Sequence, residues 1–394
     1  DAAILAGKWG DPMNAKKFSD AMGALNSRYL EEAALYHKNR IRLPRIMWGA
    51  VAACVALAVV VGVNLRPQSE APQAMLTIPT MEQDAMGFES WVGYDIATWD
   101  NGNPWNVSMD FTTLPVYRNG SYHSAGMPTG LSQEAMMDRL EEAAEALGME
   151  IDSPETVQEG SAVVQLTASA EGTTIVVEAD GTMEVWFEGG LALPEEYHFT
   201  DCDTTDTEAA QVLNYLAQRY SALLEFDQPE QVLSGMWNLS DEEGSTPSYW
   251  REYILYDAAG DDLEDILNYT YRFAQFYPDE EGKLSLLRIW DGLACAENIG
   301  EYPIITVDEA FQQLEQGHYI TSVPYEVTEM ERVGKVELVY RNARTEETFL
   351  PYYRFYVALP EEQKDGLTTF GAYYVPAVQE AYIANMPAQK DNAG

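Results

Sequence analysis

Apolar residues recur at spacings of three and four across residues 131–147, placing Met136, Leu140, Ala143, Ala144 and Leu147 on one face and predicting an amphipathic helix. Strand-like runs follow at 161–167, 173–179 and 182–187, the last two joined by Asp180-Gly181, a strong hairpin signal. The same order recurs downstream. Thr205 and Glu208 have the spacing of a capping box, ahead of a stripe of Ala209, Val212, Leu213, Leu216 and Tyr220, with strands predicted at 249–256, 270–276 and 283–290. Thr306 and Glu309 repeat the device before Val307, Ala310, Phe311 and Leu314, and strands are predicted at 335–341, 351–359 and 370–376. A helix followed by a three-strand meander, occurring three times, predicts an α+β head of related units. We expect the head to divide into domains at 86–200 and 201–394, the later units lying in the second.

The chain ahead of the head reads differently. Residues 47–65 (MWGAVAACVALAVVVGVNL) are nineteen positions without a charge, enough to span a bilayer core as one transmembrane helix. Residues 1–46 hold eight Lys or Arg against five Asp or Glu, while the rest of the chain holds 15 against 59. Arg40, Arg42 and Arg45 precede the apolar run and only Arg66 follows closely, so the charge bias places the N-terminus in the cytoplasm and the head outside, in a single-pass cell-membrane protein. A cleaved signal peptide would have a shorter basic leader and a shorter apolar core. Val51-Ala52-Ala53-Cys54 imitates a lipoprotein box, but the apolar run continues past Cys54. Residues 66–85, with Pro67, Pro72 and Pro79 among polar neighbours, read as an extended tether.

Within the cytoplasmic segment 1–46, where Met13 reads as a native start, Phe18, Met22, Leu25 and Tyr29 continue into Ala33 and Tyr36 as one helical stripe. Gly23 and Asn26-Ser27 are positions that break it into two short helices, and helices this short are marginal alone in water, so the stripe implies either a protein partner or the membrane surface. The segment MNAKKFSDAMGALNSRYLEEAALYHK followed by RIMWGAVAACVALAVVVGV resembles the opening of clostridial single-pass proteins described as anti-sigma factors or sigma-factor-associated regulators. That resemblance implies a cytoplasmic sigma factor or similar regulator as partner, held by Phe18, Met22, Leu25 and Tyr29. Zinc-containing anti-sigma domains carry a His-x3-Cys-x2-Cys cluster, which His37 does not begin. Residues 305–378, with ITVDEAFQQL, VGKVELVYRN, PYYRFYVALP and FGAYYVPAV, resemble PepSY-like modules and the extracytoplasmic parts of accessory proteins that restrain Gram-positive histidine kinases. This second resemblance implies a non-catalytic role in binding or restraint.

Composition narrows the chemistry. With 64 acidic against 23 basic residues the formal charge is -41, a field that repels nucleic-acid phosphate. The four histidines lack metal-site spacing, and no GxSxG elbow, Walker loop or GxGxxG follows a strand, so we expect no enzyme, no metal and no cofactor. Asp201 to Asp206 briefly imitates a calcium loop, but Asp206 and Val212 stand where Gly and Glu are required, and acids at a helix start account for it. Cys202 and Cys295 are either a disulfide or two buried thiols. Alternation in 351–359 puts Tyr353, Phe355, Val357 and Leu359 on one face and Tyr352, Arg354 and Tyr356 on the other. The first face is core; the second is either an extracytoplasmic recognition strip for a protein or peptide, or packed against another unit. The expected function is a membrane-anchored signalling regulator with a binding head, against the alternative of a passive envelope-binding or surface protein.

Overall fold

The computed structural model describes residues 73–79, 91–94, 102–122, 130–202, 204–232, 234–238, 248–342, 346–362 and 368–388. The chain separates into Asp1–Ala74 and Met75–Gly394, and every element below belongs to the second unit.

An eight-stranded antiparallel sheet is its largest layer. In spatial order it contains β3 (Glu155–Glu159), β4 (Ala162–Ala170), β5 (Thr173–Glu178), β6 (Met183–Leu191), β12 (Leu284–Asp291), β11 (Arg272–Pro278), β10 (Tyr253–Asp257) and β7 (Pro229–Val232). The β5–β6 turn forms at Asp180-Gly181, where Thr182 N–H donates to Asp180 Oδ1 at 3.0 Å and Gly181 adopts a φ of 95°. A Cβ at Gly181 would lie 2.3 Å from the carbonyl oxygen of Asp291, so the turn requires glycine for space as well as conformation.

Two helices cover one face of this sheet. Helix α1 (Gln133–Leu147) is capped by the Ser132 side chain and ends at Gly148 in the left-handed conformation. Its buried Met136, Leu140, Ala143 and Ala144 pack with Leu166, Ile175 and Val177. Helix α2 (Asp206–Arg219) begins with the Thr205/Glu208 capping box and buries Val212, Leu213 and Leu216 against Val185, Leu255, Phe276 and Leu287. The short α3 (Ser221–Leu224) follows it, and α4 (Asp262–Tyr271) comes before β11. Alternation along β10 turns Tyr253 and Leu255 toward α2 and Tyr256 the other way, where its ring meets Tyr269 of α4 edge-on at 5.6 Å.

The C-terminal part builds a four-stranded sheet ordered β1 (Trp91–Tyr94), β17 (Thr369–Pro376), β16 (Pro351–Ala358) and β14 (Val333–Tyr340). Helix α5 (Val307–Gln316), opened by the Thr306/Glu309 capping box, packs on one face, with Phe311 edge-on to Phe355 at 6.1 Å. The opposite face holds Tyr352, Tyr356, Ala372 and Tyr374 together with Leu76, Ile78 and Val378. Val116, Tyr302 and Leu350 join the same cluster from a three-stranded sheet of β13 (Glu297–Pro303), β2 (Thr113–Arg118) and β15 (Thr348–Phe349) or its flank. Coverage on both faces explains why every residue of β17 is buried, although the strand reads as one continuous apolar and aromatic run. A two-stranded hairpin of β8 (Gly235–Asn238) and β9 (Ser248–Arg251) completes the described strands.

Three expectations are corrected. The described chain is a mostly sheet α+β fold, and among the described residues no helix is long and apolar enough to cross a membrane. Residues 47–65, on which the single-pass architecture and the cell-membrane localisation rested, lie outside the described residues, as do the cytoplasmic segment 1–46 and most of the tether 66–85. Nor are there three equal meanders: the first helix is followed by four strands, β3 to β6, and α4 interrupts the second set. Finally, β6 pairs with β12 through Val185 opposite Leu287 and Trp186 opposite Leu286, so the expected division at 200/201 falls inside one continuous sheet.

Candidate functional site

The antiparallel register of β14 and β16 places Glu337 directly opposite Arg354 and Lys335 opposite Tyr356. Four polar groups therefore meet on a face that is otherwise aromatic. Arg354 Nη2 and the Tyr356 hydroxyl each donate to Glu337 Oε2 at 2.7 Å, and Lys335 Nζ lies 2.6 Å from Glu337 Oε1. The Arg354 guanidinium also stands over the Tyr356 ring, 5.0 Å from its centroid. Burial alone would push the Glu337 carboxyl up; the charges of Arg354 and Lys335, with the hydrogen bonds they donate, outweigh it and hold the group at about 2. Burial opposes protonation of Arg354, and the surrounding Tyr356 and Glu337 keep it firmly cationic.

Arg354 carries this cluster into one wall of a cleft of about 250 Å³. Val339, Tyr340 and Asn342 extend that wall beyond Arg354, and the facing wall comes from the eight-stranded sheet through Val232, Ile254 and Phe273. Tyr269 and Thr270, at the end of α4, close one side, and the Asn342 side-chain amide donates to the Thr270 carbonyl at 3.0 Å, tying the walls together. Ser234 and Glu252 complete the lining from the base of the β8–β9 hairpin. Glu252 N–H donates to the Ser234 carbonyl at 2.9 Å, and Ser234 Oγ donates to Glu252 Oε2 at 3.0 Å. Burial raises the Tyr269 phenol above its ordinary value, with the nearby Glu337 charge adding to the effect, so it stays a neutral donor in the cleft.

The arrangement can recognise a small molecule. Apolar floor residues remove a ligand's hydrocarbon surface from water, while a guanidinium, an amide, a hydroxyl and a carboxylate fix its orientation. Among the described residues no group of three or more His, Cys, Asp or Glu is placed to hold a metal ion.

The residues singled out from sequence divide between places. Tyr352 and Tyr356 are fully buried, so of the two readings of that face, recognition strip or packed layer, both tyrosines follow the packed one. Arg354 stands between them in sequence but retains 21% side-chain exposure, in the cleft. Phe18, Met22, Leu25 and Tyr29 lie outside the described residues. Asp206 of the apparent calcium loop instead pairs with Arg251 at 2.6 Å, and Cys202 and Cys295 are not joined in a disulfide. Sequence reasoning missed Glu337, Lys335, Glu252 and Asn342. A signal existed for two of them: Lys335-x-Glu337 puts opposite charges on one face of a strand whose other positions are apolar. Nothing local links Glu252 to that strand.

No family model matches the chain, and no curated protein matches it. The crystal structure of an uncharacterized protein from Eubacterium rectale ATCC 33656 is similar with a TM-score of 0.33 and 13% identity, covering 72% of this chain and 87% of that one. A likeness of that degree carries no argument about fold or activity.

Proposed function

We propose that the chain is a non-catalytic binding protein with a regulatory role, whose head takes a small molecule in the cleft between its eight-stranded and four-stranded sheets. The observation that carries this reading is the convergence on one cavity of Arg354, Asn342, Glu252 and Ser234 around the apolar Val232, Ile254, Phe273 and Val339. Those groups come from β7, β10, β11, β14 and β16 and from the residues that flank these strands and the β8–β9 hairpin, so an occupant would touch both sheets at once and favour whichever packing of them it fits best. That is the property a regulatory ligand needs. The apolar stripe Phe18, Met22, Leu25 and Tyr29 supplies the second half of the proposal, a protein partner of the sigma-factor or regulator type, as its sequence resemblance implies.

Thr270→Trp tests the cleft by filling it from the α4 side. Wild-type and variant proteins would be melted against a panel of soluble metabolites. The proposal expects compounds that raise the wild-type melting temperature and leave the filled variant unmoved. A panel in which no compound separates the two proteins would refute it.

A further inference from the structure

The charges on the two walls of the cleft have opposite signs and do not meet. On one wall, a guanidinium offers five N–H donors, and Glu337 accepts one hydrogen bond from Arg354, at Nη2. Glu337 is itself shared with Lys335 and Tyr356. Arg354 keeps part of its side chain exposed to the cleft. On the other wall Glu252 accepts from Ser234 Oγ through Oε2 and makes no ion pair with any described residue. Arg354 and Glu252 both act on the phenol of Tyr269, which places that side chain within the field of both, yet they form no salt bridge with each other. The same cleft is lined by the apolar side chains of Val232, Ile254 and Val339 and the ring of Phe273.

A neutral ligand would leave Glu252 without a counter-charge and the two cations Arg354 and Lys335 sharing the single carboxylate of Glu337, and an anion or a cation would balance one wall and leave the other. Resting on the cleft reading above, we infer that the ligand is a small zwitterion with an apolar side chain, an α-amino acid by chemistry, its carboxylate on Arg354 and its ammonium on Glu252. Arginine suits the carboxylate because its planar fork matches both oxygens. Size agrees: a dry cavity of about 150 Å³ accepts benzene, so the 250 Å³ here leaves room for a ring plus the amino and carboxyl groups.

Isothermal titration calorimetry on the full chain separates the contributions with four probes. L-Phenylalanine carries both charges, 3-phenylpropanoate only the carboxylate, 2-phenylethylamine only the ammonium, and benzyl alcohol neither. A charge-assisted hydrogen bond corresponds to about tenfold or more in affinity. L-Phenylalanine should therefore bind at least about tenfold tighter than either singly charged probe. Glu252→Gln keeps an acceptor for Ser234 and removes the charge; it should abolish the advantage over 3-phenylpropanoate and leave 3-phenylpropanoate itself bound as in wild type. Equal affinity for L-phenylalanine and a singly charged probe would overturn the zwitterion while leaving a ligand-binding cleft. Equal affinity for benzyl alcohol would overturn the role of both charges. No binding of any probe would overturn this inference, and the Thr270→Trp screen then decides separately whether the cleft binds anything else. Should Glu252→Gln fail to fold, the ranking of the four probes on the wild-type protein decides alone.

Discussion

Replacing Glu337 by Gln should destabilise the protein in a way that depends on pH. The carboxyl is held at about 2 in the folded chain against an ordinary 4.5, because Arg354 and Lys335 outweigh its burial. A depressed carboxyl contributes its stability fully above the unfolded value and loses it as the pH falls toward the folded one. Two and a half pH units correspond to roughly 3 kcal/mol at neutral pH. Removing one partner of a buried pair costs about 3–5 kcal/mol because the other charges stay behind, so the two routes agree in size. The window lies between pH 4.5 and 2, and by pH 3.5 linkage predicts that wild type has given up roughly 1.4 kcal/mol of this contribution. Glu337→Gln cannot titrate at this position, whereas every other carboxylate is common to both proteins. Urea unfolding at pH 7, 5, 4 and 3.5 should therefore show a gap of about 3 kcal/mol or more at pH 7 that is constant to pH 5 and narrows by about 1.4 kcal/mol at pH 3.5. A gap that stays constant or widens over that range would refute the ion-pair cluster as the source of stability.

Two further outcomes are expected. Gly181→Ala should cost about 1–3 kcal/mol in thermal or urea unfolding, because its Cβ would sit 2.3 Å from the Asp291 carbonyl oxygen at a φ of 95°, whereas Gly148→Ala, with a φ of 70° and nothing within 4 Å, should lose only about 1 kcal/mol; equal losses would show that the Asp291 contact is relieved without cost. Met22→Asp with Leu25→Asp should abolish capture of a protein partner by residues 13–46 in a pull-down, since charge cannot enter an apolar groove cheaply, and unchanged capture would remove that stripe from the proposal.

The helices were legible because their signals are local. The stripe ending at Leu147 gives α1, and both capping boxes form where Thr205/Glu208 and Thr306/Glu309 stand in the sequence. Asp180-Gly181 marks its turn, and the three C-terminal strands lie within about two residues of their predicted bounds. What was not legible is pairing between distant segments. No pattern near Val185 announces that its neighbour is Leu287 about a hundred residues on, so one sheet read as two. Helix α4 was missed because its register, with Ile266 and Tyr271 buried, ran into aromatic residues of β11 that signal a strand. The alternation in β16 was correct, yet alternation cannot tell a face covered by a second layer from an exposed one. Tyr352 and Tyr356 have the same sequence pattern in both cases; only the packing of Val116, Tyr302 and Val378 decides. The cleft escaped for the same reason, since Glu252 and Arg354 come together through tertiary structure alone.

Methyl NMR provides the most direct test of the central claim, that the cleft is the ligand site. With isoleucine, leucine and valine methyls labelled, L-phenylalanine would be titrated into the full chain. The account predicts saturable shifts at Val232, Ile254 and Val339, which line the cleft, with no change at Leu140 and Val177, which pack together between α1 and the far side of the eight-stranded sheet. Shifts that never saturate, or that appear at Leu140 and Val177 while Val232, Ile254 and Val339 stay still, would contradict it.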